Sequence, residues 1–241
     1  RAFGSAGVAT LTPVYPPFLS APELAGIPLT RVDMLDGEKG WQIDMPQLRA
    51  SLQPGQLLLL CNPHNPVGRA YTREELQQLA QLAEEFDLTV CSDEIHADLV
   101  LDLERPHLPL AALDPAIASR TLTLMAPSKT FNMPGMGCAF AISSNPALRT
   151  QLKRTMAGVV PHPNSLAWPA TEAAYGHSRE WRLALLDYLR GNRDLLQQAM
   201  TKLAPLSMHH IEATYLAWID ARALGDNPAG YFEQHGLGLS D

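Results

Sequence analysis

Gln56-Leu-Leu-Leu-Leu-Cys61 runs into Asn62-Pro63-His64-Asn65-Pro66-Val67-Gly68, then Thr72-Arg-Glu-Glu75, then Leu88-Thr-Val-Cys91. The first piece is an apolar run of strand length, as expected for a strand covered on both faces. The Asn-Pro cluster is a turn signal. Thr72 and Glu75 stand at capping-box spacing, and Leu76, Leu79, Ala80, Ala83 and Phe86 follow with helical periodicity. The last piece predicts a second strand. Strand, helix and strand joined by short connections define an α/β chain with a mainly parallel sheet.

Outward from this unit, Val8-Ala-Thr-Leu-Thr12 predicts a strand closed by Pro13-Val-Tyr-Pro-Pro17. Thr121–Met125 and Cys138–Ile142 predict two more. In such sheets ligands bind beyond the carboxyl ends of the strands. Asn65, Asp93 and Lys129 each follow the end of a different predicted strand. Downstream, Leu185, Leu186, Leu189, Leu195, Leu196 and Ala199 trace an amphipathic helix over Trp181–Leu203, with Gly191 inside it. Met208–Ile219 alternates loosely and reads as a strand that starts a second domain. The expected division is a large domain over 1–190, with a linking helix and the start of a small domain over 191–241.

The 241 residues suffice for one large core or two modest ones. A net charge of −7 argues against nucleic acid as the partner. No apolar stretch approaches the roughly 20 residues a membrane span needs. Cys61, Cys91 and Cys138 lie singly in apolar runs, which reads as buried thiols in a reducing, cytoplasmic setting. His209-His210 lacks companions at ligand spacing, so no metal site is expected. His107, His162, His177 and His235 read as surface or packing residues.

Lys129, in Ala126-Pro-Ser-Lys-Thr-Phe-Asn132, is an unusual residue to place at the end of a buried strand. A desolvated lysine is suited to Schiff-base chemistry, which directs attention to pyridoxal phosphate. That group needs a carboxylate beside its ring nitrogen, a donor for its phenolic oxygen, a lysine for its aldehyde, hydroxyls or amides for its phosphate, and a cover for its ring. Asp93 suits the ring nitrogen, or else is a helix cap. Asn65 suits the phenolic oxygen, or else is a turn residue. Ser128 suits the phosphate, and Tyr15 could stack on the ring. His64 and Arg69 could reach a substrate carboxylate, or else are solvated loop residues.

In Asn62-Pro-His-Asn-Pro-Val-Gly68, Asp93-Glu-Ile-His96 and Ser128-Lys129 the chain resembles the class I/II aminotransferases, the fold-type I pyridoxal-phosphate enzymes. The resemblance runs from about Thr12 through Ile219. It implies a Schiff base at Lys129, a pyridinium contact from Asp93, a phenolic-oxygen contact from Asn65, phosphate binding at Ser128 and ring stacking by Tyr15. His96 also falls among the cofactor-binding positions, where typical aminotransferases carry tyrosine. Gly137 stands where they often carry a phosphate-binding arginine. The wording Asn-Pro-His-Asn-Pro-Val-Gly-Arg, Ser-Asp-Glu-Ile-His and Ser-Lys-Thr-Phe-Asn is similar to the C–S β-lyase branch, the cystathionine β-lyases. That branch implies cleavage of cysteine thioethers to thiol, pyruvate and ammonia, in a homodimer. Transamination between an amino acid and a 2-oxo acid is the alternative, and a cofactor-sensing regulatory domain a third. The resemblance also places a phosphate-cradling loop before residue 1 and a carboxylate-binding arginine after residue 241.

Overall fold

The computed structural model describes Phe3 and residues 6–240. In chain order the elements are β1 (Val8–Thr12), α1 (Pro17–Leu24), β2 (Leu29–Asp33), the hairpin β3 (Leu35–Gly37) and β4 (Gly40–Gln42), α2 (Met45–Ser51), β5 (Leu57–Cys61), α3 (Arg73–Glu85), β6 (Thr89–Asp93), α4 (Pro115–Ser119), β7 (Thr121–Met125) and β8 (Phe140–Ile142). They continue as α5 (Pro146–Met156), α6 (Ala167–His177), α7 (Arg179–Met200), β9 (Ser207–Met208), β10 (Ile219–Asp220) and α8 (Pro228–Gln234).

Among the described residues six strands form one sheet in the order β2-β1-β5-β6-β7-β8. The first five run parallel, with Leu57 paired to both Val8 and Thr89. β8 returns antiparallel, Phe140 opposite Met125. This is the expected α/β architecture. Side chains alternate across a strand, so Leu58 and Leu60 enter the main core beside Leu76, Leu79 and Ala83 of α3. Leu59 and Cys61 face the opposite layer, with Val14 and Phe18. Each fully buried leucine of this kind contributes about 1.5–3 kcal/mol. The capping box is closed in both directions: the Thr72 hydroxyl accepts from Glu75 N at 3.2 Å, and the Glu75 carboxylate accepts from Thr72 N at 2.8 Å.

Three expectations change. The strand read over Leu88–Cys91 is displaced to Thr89–Asp93, so Asp93 is its last residue. Cys138 lies outside β8. Met208–Ile219 pairs as regular strand only at its ends, β9 with β10, with one isolated bridge from Ala213 to Val100 between them. Between them the backbone binds elsewhere: Glu212 N and Ala213 N donate to Gly68 O at 2.9 Å, Leu101 N donates to Glu212 O at 2.8 Å, and Thr214 N donates to Leu99 O at 2.8 Å. The stripe on α7 is covered only in part: Leu186 is buried against Leu99, Leu101 and Ile211, whereas Leu195 is exposed. Among the described residues no helix is long and apolar enough to cross a membrane.

Candidate active site

Parallel pairing of β1, β5, β6 and β7 brings their carboxyl ends to one edge of the sheet. The segments that leave those ends carry Tyr15, Asn65, Asp93 with His96, and Ser128 with Lys129. The neighbouring exits are tied by backbone bonds. Tyr15 N donates to Asn65 O at 3.0 Å, Asn62 N to Asp93 O at 3.0 Å, and Glu94 N to Leu124 O at 2.9 Å.

Asp93 is largely buried. Burial raises its carboxyl above the ordinary range; the Ile95 N–H, 3.2 Å from Oδ1, acts against this, Glu94 adds to it, and the Lys129 charge opposes it. Lys129 is half-buried and, with the side chain of Asn65, makes no hydrogen bond or ion pair among the described residues. Lys129 also acts on His96, which is only 2% exposed. Burial first, and that positive charge second, lower the His96 pKa to about 4, so the imidazole is neutral at pH 7. Among the described residues neither ring nitrogen of His96 has a hydrogen-bond partner. Its ring stands edge-on to Tyr215, with centroids 5.9 Å apart and planes at 86°. Tyr15 is 44% exposed and free to cover a ligand. The Ser128 carbonyl accepts from Met133 N at 3.1 Å, which fixes the turn that carries Lys129.

His64 and Arg69 are not solvated loop residues; both are buried and paired within the protein. The His64 ring is 1% exposed. Its Nε2 donates to Pro13 O at 2.7 Å, and its Nδ1 accepts from the Tyr71 hydroxyl at 2.7 Å. A carbonyl can only accept, which sets the tautomer. His64 therefore clamps the loop after β1 to the loop after β5. Arg69 is buried among Glu75 (2.8 Å), Glu212 (3.1 Å) and the Trp41 carbonyl.

Two further groups support the site without a signal in local sequence. Glu94 is fully buried; it accepts from Ser92 Oγ at 2.8 Å, His107 Nε2 at 2.8 Å and Leu110 N at 3.2 Å. His107 thus packs inside beside the Asp93 turn. Tyr215 arrives from the segment between β9 and β10. Gly137 adopts φ +61°, the left-handed conformation glycine favours, at the end of the turn Pro134–Met136. His209 pairs with Asp36 at 2.6 Å and His210 with Asp102 at 2.8 Å. Among the described residues no group of three or more His, Cys, Asp or Glu side chains could hold a metal ion.

The donor set fits a flat aromatic aldehyde bearing a basic ring nitrogen. A largely buried carboxylate near a primary amine, with a buried imidazole unpaired at both nitrogens, is costly to keep unless a ligand completes it.

The family model for aminotransferases of class I and II matches residues 1–232. Cystathionine beta-lyase PatB of Bacillus subtilis is 36% identical over 220 residues, which are 88% of this chain and 56% of that protein. The crystal structure of OvoB superposes with a TM-score of 0.96 at 45% identity, over 100% of this chain and 65% of that one. Cystalysin from Treponema denticola, whose crystal structure contains a pyridoxal 5'-phosphate cofactor, superposes with a TM-score of 0.90 at 31% identity, over 97% of this chain and 61% of that one. The chain spans a little over half the length of the curated relatives it matches.

Proposed function

This chain belongs to the class I and II aminotransferase family, and from that membership we propose that it is the site-bearing part of a pyridoxal-phosphate-dependent C–S β-lyase. The observation that carries the reading is the convergence of Asn65, Asp93 and Lys129 at one sheet edge, from three different strand ends. The likeness to a cystathionine beta-lyase favours elimination within the family. So does His96, which stands where typical aminotransferases carry tyrosine.

When bound, pyridoxal phosphate supplies an electron sink that acidifies the α-hydrogen of an amino acid. Lys129 is the point of covalent attachment. With its amine free, Lys129 would serve as the general base that takes the α-proton at Nζ. Asp93 holds the proton on the ring nitrogen; a cationic ring opposite it offsets the burial that raises its carboxyl. Asn65 donates its amide to the phenolic oxygen, with the neutral His96 beside it. Ser128 gives its hydroxyl to the phosphate, and Tyr15 covers the ring. Overall, the Cβ–S bond of a cysteine thioether breaks, the sulfur leaves with the bonding pair and takes a proton, and water completes pyruvate and ammonia.

The test is product analysis with cystathionine against an amino acid plus 2-oxoglutarate. Equimolar thiol, pyruvate and ammonia are expected. Amino exchange without thiol release would place the protein with the transaminases, the activity the family model is named for. Lys129→Ala should abolish the yellow chromophore and lower turnover by roughly 10²–10⁴-fold. A homodimer belongs to the same proposal, and Leu166 and Trp168 are exposed apolar side chains available to such an interface.

A further inference from the structure

We infer that Tyr215 is a substrate-contacting, specificity-determining residue whose ring forms the wall of the site opposite the cofactor-binding strand ends, and that the side chain it receives is apolar or a thioether. The inference rests on the function proposed above.

Four observations lead to it. First, Tyr215 touches the site: its ring meets His96 edge-on at 5.9 Å, three residues beyond Asp93. Second, that neighbour is a buried imidazole with both nitrogens unpaired among the described residues, a costly condition that points to a ligand in the space around it. Third, Tyr215 remains 46% exposed, so much of its ring is uncovered by protein.

Fourth, the backbone that presents the ring is held in an uncommon shape. Thr214 is fully buried at φ +73°. For a β-branched residue that conformation is strained and persists only when its surroundings enforce it. Here they do. Thr214 N donates to Leu99 O at 2.8 Å, and Thr214 Oγ1 accepts from Leu216 N at 3.1 Å. Just before it, Glu212 N and Ala213 N share Gly68 O. Gly68 itself sits at φ +71°, where a Cβ would lie 3.0 Å from Ile211 Cγ2. The segment is thus stitched to the loop after β5 on one side and to the turn after β6 on the other. The half-exposed ring it carries lies edge-on to His96.

A half-uncovered phenol face suits polarisable, weakly polar groups. Sulfur against an aromatic ring is attracted to it, whereas a carboxylate over that electron-rich face is not. Tyr215 therefore discriminates by side chain and leaves proton transfer to Lys129.

The experiment compares wild type, Tyr215→Ala, Tyr215→Leu and Tyr215→Phe in the protein loaded with pyridoxal phosphate. Three quantities are read: the visible chromophore, the KM and kcat for cystathionine, and the equilibrium dissociation constant for L-methionine. L-methionine is a thioether with no sulfur on its β-carbon, and its binding is followed by tryptophan fluorescence. Tyr215→Ala and Tyr215→Leu should keep the chromophore, raise KM and the dissociation constant about tenfold, and change kcat less than about threefold. Tyr215→Phe, which restores the ring, should recover most of the loss. A normal chromophore with unmoved KM and dissociation constant in Tyr215→Ala, or full recovery by leucine, overturns the assignment of Tyr215 and leaves the cofactor reading standing. A wild-type protein that forms no chromophore overturns both.

Discussion

His64 is buried deeply enough that its protonation is coupled to folding. Burial lowers its pKa from 6.5 to about 4, against the smaller favourable effect of the Pro13 carbonyl. Between these values the unfolded chain takes up a proton that the folded chain refuses. Stability is therefore complete above pH 6.5 and falls as the pH drops toward 4, by on the order of 3 kcal/mol from this residue. His96 is lowered to the same region and acts in the same direction. Urea titrations at pH 7 and 4.5 should show this loss, and His64→Gln should flatten the slope. The residue scale is also where sequence reading divides. Asn65, Asp93 and Lys129 were legible because a position at a strand end follows from local hydrophobic pattern and turn chemistry. His64 and Arg69 were not, since a turn composition suggests solvent. What covers Arg69 is Glu212, which is 143 residues away in sequence, and no local window contains it.

Among the elements, α3 was the most legible, because a capping box and a 3.6-residue stripe are both written within one short window. Removing the Thr72 hydroxyl leaves the Glu75 N–H without its acceptor. Thr72→Ala should cost about 1 kcal/mol and lower the melting temperature by a few degrees, read by calorimetry or circular dichroism. The segment between β9 and β10 was the least legible. Ile211 and Ala213 are buried and Glu212 binds Arg69, so alternate side chains do face inward as in a strand. Alternation reports where side chains point, not which carbonyls the backbone finds. Here the partners are Gly68, Leu99 and Leu101, and regular pairing is limited to the ends. The same limit applies to α7, whose periodicity marks an apolar stripe but not the portion that its neighbours leave uncovered.

Across the whole molecule, Arg69 is the point where distant parts of the chain meet. One guanidinium joins the loop after β5, the start of α3, the Trp41 carbonyl of β4 and the segment that carries Tyr215. Glu75 and Glu212 are both mostly buried, so Arg69→Ala leaves Glu75 without its cation and Glu212 with only the half-exposed Arg105. A loss of about 3–5 kcal/mol is expected, visible as a lower urea midpoint. The antiparallel return of β8 has a different consequence. Because Phe140 lies opposite Met125, the stretch that bears Lys129 leaves the sheet and re-enters it at the same edge. Both feet of that arch are planted in neighbouring strands, so its two ends are fixed relative to each other. If Lys129 acts as proposed, the four methylene groups of its side chain extend the reach of the amine beyond those two anchored ends. The length of that arm would then set how closely an α-carbon must be delivered.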